Sequence, residues 1–305
     1  MGQARTKWSL ATVQVDGKPV GCMEVGGKHY RLAPTLARAG LTNVETIADL
    51  FLDWPRTSAA LDDACQMLVG SDAVVAERYL APLLYPGKIL CTGGNYFDHL
   101  EEMGITGATK ENQRLFFFMK PPRSTVVGEG PTVHMPIATK ALDWELELAA
   151  IIGTRARNVS VEDALQYVAA YTVSIDFSAR DHLNCPEVFY KFDWTAGKAN
   201  DTCCPIGPKI VPATAFEDPH NLDLKLWVNG EIKQDSNSSQ MIFSIAEQVA
   251  LASRIMTLDP GDLILTGTPA GVGLPKRTFL NVGDRVDGEI EGIGKLSVTI
   301  QPELL

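Results

Sequence analysis

A stretch of alternating apolar and acidic residues between Ala141 and Gly153 constrains this chain more than any other feature. The alternation has the period of a β-strand, so Asp143, Glu145 and Glu147 are expected to share one face. Carboxylates two residues apart on a strand start roughly 6.5–7 Å apart, and their flexible ends can converge on one hard cation such as magnesium or calcium. On its own the stretch equally fits a half-exposed strand with an acidic solvent face, which is the commoner arrangement.

The composition is that of a globular protein, and its charge argues against two classes of partner. The chain has 305 residues, of which 45% are hydrophobic and 21% charged, and its formal net charge is −10. A scattered excess of acid disfavours nucleic acid and anionic membranes as partners, although it leaves room for a local basic pocket. The six cysteines form no Cys-x-x-Cys pair, and no run of ~20 apolar residues is present. The first residues lead into no long apolar run, so we expect no signal peptide. We therefore expect a reduced, cytoplasmic protein with free thiols.

The first part of the chain predicts a small α+β domain. Asp16-Gly17 and Gly26-Gly27 are turn signals between short strands, and Thr42–Glu45 resembles a capping box that opens a helix over 44–52. Proline and glycine then interrupt the pattern, so we place a boundary near residue 80. The predicted domains are residues 1–80, with no evident chemistry, and residues 81–305, which carry every candidate site residue.

Two features outside the acidic strand could contribute chemistry. His99 and Glu102 are three residues apart, so on a helical turn they share a face, where the carboxylate can orient the imidazole as a general base. A surface His–Glu pair is the ordinary alternative. Asp176 ends the apolar strand Tyr171–Ile175 and could supply a third metal ligand, although a turn-capping aspartate would look the same.

Three loops complete the set of candidates. Residues 103–114 are polar, contain two glycines and predict a loop that could act as a lid. Lys198 follows a loop and could bind a substrate carboxylate, whereas a lone loop lysine is usually just solvated. The glycine-rich segment Thr266–Gly273 has no Gly-Lys-Ser/Thr and is not a Walker A loop, but its amides could hold a carboxylate or an enolate oxygen.

Taken together, these motifs resemble the fumarylacetoacetate hydrolase family over roughly residues 85–302. Each motif is weak alone, but they occur in the family's order. They are Gly94–Glu102 (GNYFDHLEE), Asp143–Leu148 (DWELEL), Asp176–Asp181 (DFSARD), Lys198, Cys204–Pro208 (CPIGP), Gln234–Phe243 (QDSNSSQMIF) and Thr266–Gly273 (TGTPAGVG).

The resemblance implies an α+β, mainly β fold, in which a mixed β-sheet roll, barrel-like in outline, surrounds a divalent-metal site, usually in a homodimer. It implies Mg²⁺ as the cofactor, with Mn²⁺ or Ca²⁺ as alternatives. It also assigns roles to residues. Metal ligands are Glu145, Glu147 and Asp176; catalytic residues are His99, Glu102 and Lys198; substrate contacts are Arg180, Gln234, Thr266, Gly267 and Thr268.

The resemblance also implies a substrate class, namely small 2-oxo or diketo acids. The leading hypothesis is hydrolysis of a C–C bond in a 1,3-diketo acid such as an acylpyruvate or fumarylpyruvate, through a metal-bound enolate and water activated by His99 and Glu102. The same enolate would serve an oxaloacetate-type decarboxylase, a 2-hydroxydienedioate (keto–enol or double-bond) isomerase or a sugar-acid dehydratase or hydrolase. A non-catalytic metabolite-binding relative is a further alternative.

Two departures from the family pattern bear on the substrate. Asn95 stands where the eukaryotic hydrolase has an acidic residue, which argues against fumarylacetoacetate itself. Residues 182–197 follow no familiar pattern and are expected to shape the pocket.

Overall fold

The structure, a computed structural model, describes residues 8–68 and 70–304. The strands are β1 Ser9–Val15, β2 Lys18–Val25, β3 Lys28–Arg31, β4 Ala73–Val74, β5 Arg78–Tyr79, β6 Ile89–Thr92, β7 Phe117–Lys120, β8 Val126–Val127, β9 Gly130–His134, β10 Leu142–Asp143, β11 Leu146–Ile152, β12 Val168–Ile175, β13 Ser178–Ala179, β14 Cys204–Pro212, β15 Asp223–Val228, β16 Glu231–Asn237, β17 Leu263–Leu265, β18 Arg285–Ile290 and β19 Gly294–Gln301. The α-helices are α1 Leu32–Arg38, α2 Ile47–Phe51, α3 Trp54–Gln66, α4 Phe97–Glu102, α5 Pro122–Thr125, α6 Arg180–Leu183, α7 Trp194–Lys198 and α8 Ile245–Ile255. Short 3-10 helices occupy Gly70–Asp72, Ala164–Tyr167, Ala213–Ala215, Ser238–Gln240 and Leu274–Lys276.

The largest sheet runs in the order β4-β3-β2-β1-β14-β12-β11-β17-β6-β7, with β5 paired to β1 and β8 paired to β14. Most neighbours are antiparallel, whereas β17–β6 and β14–β8 are parallel, so the sheet is mixed. A smaller sheet has the order β16-β15-β18-β19-β9, and β10 pairs with β13. Within the described residues, neither the largest sheet nor the smaller five-stranded sheet closes on itself. The predicted mainly β, mixed-sheet class is thus confirmed, but the sheets are open and do not form a barrel.

Strand β11 lies at the centre of two hydrophobic cores. Leu148, Ala150 and Ile152 pack on the side of the smaller sheet, whereas Ala149 and Ile151 belong to the core that includes the N-terminal helices. The strand alternates as predicted, but both of its faces are buried. An acidic solvent face is therefore wrong for this stretch. The predicted single strand is also interrupted, because Trp144 and Glu145 separate β10 from β11.

The N-terminal strands form a meander whose tight turns fall at the predicted Asp16-Gly17 and Gly26-Gly27, all four with positive φ. Strand β1 pairs with β14 through Leu10 and Ile210, so the large sheet continues across the predicted boundary near residue 80. The division into domains 1–80 and 81–305 stays a prediction.

The capping box predicted at Thr42–Glu45 is wrong. Asn43 has a left-handed φ of 67°, which stops a helix from forming there. Helix α2 instead begins after Thr46, whose side chain and that of Asp49 cap each other's backbone amides. Helix α8 has an equivalent box formed by Ser244 and Glu247, and such a cap stabilises a helix by about 1 kcal/mol.

Candidate active site

Three buried carboxylates converge where β11 and β12 meet. Glu145 immediately precedes β11, Glu147 lies within it, and Asp176 directly follows β12. The strands pair antiparallel with Leu146 opposite Ile175, which brings the start of one strand to the end of the other. One oxygen of each carboxylate lies within 4.8 Å of the others, although Asp176 is distant in sequence from the two glutamates. The three carboxylates thus form a cluster, as their positions on the predicted strands allowed.

Three cations surround these carboxylates. Lys198 Nζ lies 2.6 Å from Glu145 Oε2 and 2.8 Å from Asp176 Oδ2. Lys120 Nζ lies 2.7 Å from Asp176 Oδ1, and both of these side chains are fully buried. Arg180 places Nη2 2.6 Å from Glu145 Oε1. The carboxylates are therefore held by charge, and Lys198 is not the solvated loop lysine that its sequence context allowed.

The two glutamates have opposite pKa shifts. Burial raises the pKa of Glu145, but the charges of Lys198 and Arg180 outweigh it and lower the pKa to about 2. Burial, and then the negative charges of Asp176 and Glu145, raise the pKa of Glu147 well above its ordinary value. Glu147 is therefore the carboxylate with the least compensation from the protein itself.

The residues present fit a divalent cation. Glu145, Glu147, Asp176 and the neighbouring Asp143 contribute four negative charges, whereas Lys120, Arg180 and Lys198 contribute three positive ones, which leaves a formal balance of −1. Asp176 Oδ1 is buried and makes no hydrogen bond of good geometry among the described residues, despite its ion pair. An all-oxygen donor set with an uncompensated charge is what Mg²⁺, Mn²⁺ or Ca²⁺ requires.

The His99–Glu102 pair forms on α4 as the spacing predicted. His99 Nδ1 lies 2.8 Å from Glu102 Oε1, and Gly271 N–H donates to Glu102 Oε2 at 2.8 Å. The glutamate is thus fixed at both oxygens, and the imidazole is oriented by one of them. His99 is close enough to the triad to contribute to the lowered pKa of Glu145, after burial and the larger effects of Lys198 and Arg180.

The glycine-rich loop directs its amides to the protein's own carboxylates. Gly267 N–H donates to Glu147 Oε2 at 2.6 Å, and Gly273 N–H donates to Asp143 Oδ1 at 2.6 Å. Gly267 has a φ of +97°, and a Cβ there would lie 2.9 Å from Asn95 Cβ, so both conformation and space require glycine. The loop therefore connects the triad and the His–Glu pair in one framework.

The predicted substrate contacts differ in how many of their hydrogen-bonding groups already have partners within the protein. Gln234 is fully buried, accepts from Leu146 N–H at 2.9 Å, and donates to Thr268 Oγ1 and Pro269 O, both at 2.8 Å. Thr266 Oγ donates to Leu148 O at 2.8 Å. These side chains hold the loop against β11, which gives them a positioning role. Their contact with substrate, like that of Gly267 and Thr268, stays a prediction.

Arg180 lies between two carboxylates of the site. Its Nε donates to Asp143 Oδ2 at 2.9 Å, which fixes the guanidinium, whereas its buried Nη2 pairs with Glu145 Oε1 at 2.6 Å without a hydrogen bond of good geometry among the described residues. Its contact with substrate stays a prediction.

Sequence reasoning missed two charged residues of the site as functional groups. Lys120 ends β7 and donates to the backbone oxygens of Phe177, Lys198 and Cys203 as well as pairing with Asp176. Asp143 was recognised only as a member of the acidic face. A lysine at the end of an apolar strand, just before two prolines, was the available signal for Lys120.

The chain is similar to known proteins over most of its length. A sequence model described as Fumarylacetoacetate (FAA) hydrolase C-terminal matches residues 88–301. The mitochondrial oxaloacetate tautomerase Fahd2a of Rattus norvegicus is 40% identical over 218 residues, which are 71% of this chain and 67% of that protein. The present chain thus matches about two thirds of that relative's length.

Two solved structures show the same fold. A fumarylacetoacetate hydrolase from Exiguobacterium antarcticum is 33% identical and superposes with a TM-score of 0.78, covering 97% of this chain and all of that one. Fumarylpyruvate hydrolase from Pseudomonas aeruginosa, in complex with Mn²⁺ and pyruvate, is 35% identical with a TM-score of 0.64, covering 75% of this chain and 93% of that one. The chain belongs to the fumarylacetoacetate hydrolase family.

Proposed function

We propose that this chain is a divalent-metal-dependent hydrolase that cleaves a C–C bond in a 1,3-diketo acid of the acylpyruvate type. The observation that supports this most is the His99–Glu102 pair, fixed at 2.8 Å and anchored by Gly271 beside the carboxylate triad. A triad alone could bind a cation for structural reasons, whereas an oriented base beside it indicates proton transfer at a bound ligand.

His99 is the proposed general base. Because Nδ1 faces Glu102, Nε2 is the ring nitrogen that takes a proton from water. The water oxygen bonds to C4, the C3–C4 bond breaks with its electron pair remaining on C3, and His99 returns the proton to C3. One water is consumed, and the products are pyruvate and the carboxylic acid derived from the acyl group. An oriented base typically contributes about 10²–10⁴ in rate.

Glu145, Glu147 and Asp176 are the residues that would hold the metal, and we propose Mg²⁺, with Mn²⁺ or Ca²⁺ as alternatives. When bound, a divalent cation there would polarise the oxygens of the 2-oxo acid and acidify C3. The Mn²⁺ and pyruvate in the complex of the Pseudomonas aeruginosa hydrolase support this assignment.

Arg180 and Lys198 are the proposed partners of the substrate carboxylate. Both are buried beside the triad, and Asp143 orients the guanidinium by accepting from its Nε. A divalent cation would add two positive charges and change the formal charge of the site from −1 to +1. A site of that charge attracts an anionic 2-oxo acid.

A second candidate is keto–enol tautomerisation of oxaloacetate, and the 40% identical rat tautomerase favours it. The two reactions would use the same residues up to the enolate. They differ in whether water attacks C4, so a base that only shuttles a proton between C3 and oxygen would suffice for tautomerisation.

Acetylpyruvate in H₂¹⁸O distinguishes the candidates. Hydrolysis places one ¹⁸O in the acetate and forms pyruvate in equal amount, as mass spectrometry would show. A tautomerase leaves acetylpyruvate intact, accelerates ketonisation of oxaloacetate, and exchanges its C3 hydrogens with D₂O without cleavage. That second result would overturn the hydrolase proposal.

Assembly and location are further parts of the proposal. We propose a homodimer acting on a small 2-oxo or diketo acid, in the cytoplasm, with no nucleic-acid or membrane partner. None of the six cysteines, all of them described, forms a disulfide, which agrees with a reducing compartment. Among the described residues, every helix is too short or too polar to cross a lipid bilayer.

A further inference from the structure

Four aromatic side chains pack together beside Lys198. Phe118 stacks on Trp194 with ring centroids 4.8 Å apart, and Phe116 and Phe192 contact the same indole at 5.6 and 4.9 Å. We propose that this aromatic cluster is the subsite for the acyl group of the substrate and that it selects flat, apolar acyl groups. The inference rests on the proposed function and narrows its substrate class.

Strand β7 connects the aromatic cluster to the carboxylate triad. Alternate residues of a strand share a face, so Phe116 and Phe118 lie on the same side as Lys120, which contacts Asp176. Each step of two residues covers roughly 6.5–7 Å. Phe116 O accepts from Gly93 N–H at 3.3 Å, which extends the pairing beyond the end of the strand. The row therefore leads outward from the residues that would hold the 2-oxo acid.

The reactive groups adjoin the two ends of the cluster. Lys198 Nζ lies 5.0 Å from the centre of the Phe118 ring while it pairs with Glu145 and Asp176. Trp194 opens the short helix that ends at Lys198.

The other end of the cluster adjoins the segment that carries the base. At Gly93 an added Cβ would lie 2.2 Å from Phe116 Cζ, so the ring packs directly on the backbone that leads into α4 and His99. With C4 between the lysine and the base, the substituent that C4 carries would extend over these rings.

The rings retain apolar surface that a ligand could cover. Phe116, Phe192 and Trp194 are 41%, 42% and 38% exposed, although they pack on one another. Covering such surface stabilises a bound ligand in proportion to the apolar area removed from water. Stacked or edge-to-face rings add further attraction.

A second carboxylate on the acyl group is the competing possibility. Arg114 lines a cleft together with Phe116 and Phe117 and could receive such a charge. A dicarboxylate such as fumarylpyruvate therefore belongs in the test beside an aromatic substrate.

The test compares kcat/KM for acetylpyruvate, fumarylpyruvate and 2,4-dioxo-4-phenylbutanoate in the Mg²⁺-loaded protein. We expect the phenyl compound to be preferred, and Trp194→Ala or Phe116→Ala to lower its kcat/KM about tenfold while acetylpyruvate changes less than about threefold. Phe189→Ala is the matched control, because Phe189 is 89% exposed and its ring contact is with Tyr190. Trp194→Phe, which keeps a ring, is expected to retain most of the preference.

A binding measurement decides the inference independently of turnover. With Mn²⁺ present, calorimetry should show tighter binding of 2-oxo-4-phenylbutanoate than of 2-oxobutanoate, and Trp194→Ala should abolish the difference. This separates the two claims, since failure to cleave acetylpyruvate overturns only the hydrolase.

Three results would overturn the subsite. They are a preference for fumarylpyruvate that Trp194→Ala leaves intact, an equal loss on all substrates, and a change of oligomeric state in sedimentation with selectivity unchanged. The last would make the cluster an interface between copies of the chain.

Discussion

Two buried glutamates in this molecule behave in opposite ways. Glu24 on β2 accepts from Lys209 Nζ at 2.9 Å and from Tyr79 OH at 2.9 Å, and His29 Nε2 lies 3.4 Å away. Burial raises its pKa, but the contacts with His29, Lys209 and Tyr79 outweigh burial and lower the pKa to about 2.

Glu147 on β11 accepts a hydrogen bond from Gly267 N–H, but burial, and then the negative charges of Asp176 and Glu145, raise its pKa well above the ordinary value. A buried carboxylate with a full set of donors is complete within the protein and stabilises the fold. One surrounded by like charges needs a cation from outside. The contrast distinguishes Glu24, which stabilises the fold, from Glu147, which we propose as a metal ligand.

The largest predicted effect is at the ligand. Glu147→Gln should abolish Mn²⁺ binding in calorimetry and lower turnover of the preferred diketo acid on the order of a thousandfold, because several kcal/mol of charge stabilisation are lost. Metal-free stability should be unchanged or increased, since a poorly compensated charge is removed. Normal metal affinity in this variant would contradict the assignment of the triad.

The next effect is at the base. His99→Ala should lower kcat about a hundredfold or more and leave Mn²⁺ affinity intact, because His99 is assigned to proton transfer and not to the metal. Stopped-flow assays with calorimetry on the same sample would show both. Turnover at the level of the unaltered protein would refute the assignment of His99 as the general base.

The structural acid should show the reverse profile. Glu24→Gln is expected to lower the free energy of unfolding by about 2 kcal/mol, since it removes hydrogen bonds to a charged, buried group. Metal affinity and kcat should not change. Urea unfolding followed by circular dichroism would give the difference, and loss of metal binding without loss of stability would invalidate the comparison.

The smallest predicted effect is the pH dependence of the stability difference between the unaltered protein and Glu24→Gln. Glu24 has a folded-state pKa of about 2 against an ordinary value of 4.5, so its stabilisation is fully present above pH 4.5 and is lost as the pH falls towards 2. The stability gap between the unaltered protein and Glu24→Gln should therefore narrow over this range. Urea unfolding from pH 7 down to pH 3 tests this, and a constant gap would argue against the lowered pKa.

Local patterns in the sequence predicted the parts of the site that depend on short spacings. The three-residue spacing of His99 and Glu102 was enough to predict their contact, and the alternation at Glu145 and Glu147 predicted a shared face. Asp176 could be proposed because it ends an apolar strand. Each of these expectations rests on the geometry of one element.

The rest of the site depends on contacts between secondary-structure elements that are distant in the sequence. Lys120 becomes part of the site only because β7 lies at the sheet edge beside Asp176, more than fifty residues away in the chain. The amides of the glycine loop proved to hold Glu147 and Asp143, which no local pattern could show. Acidic alternation could not distinguish a solvent face from a buried one, because that depends on what covers the strand.

The most direct test of the account is to titrate the metal-free protein with Mg²⁺ and with Mn²⁺ while measuring pyruvate release from acetylpyruvate and counting bound metal. The account predicts no turnover without metal, and activity that rises in proportion to occupancy and reaches its plateau at one ion per chain. Full activity in the thoroughly metal-free protein, or saturation of the triad without any turnover of a diketo acid, would contradict it.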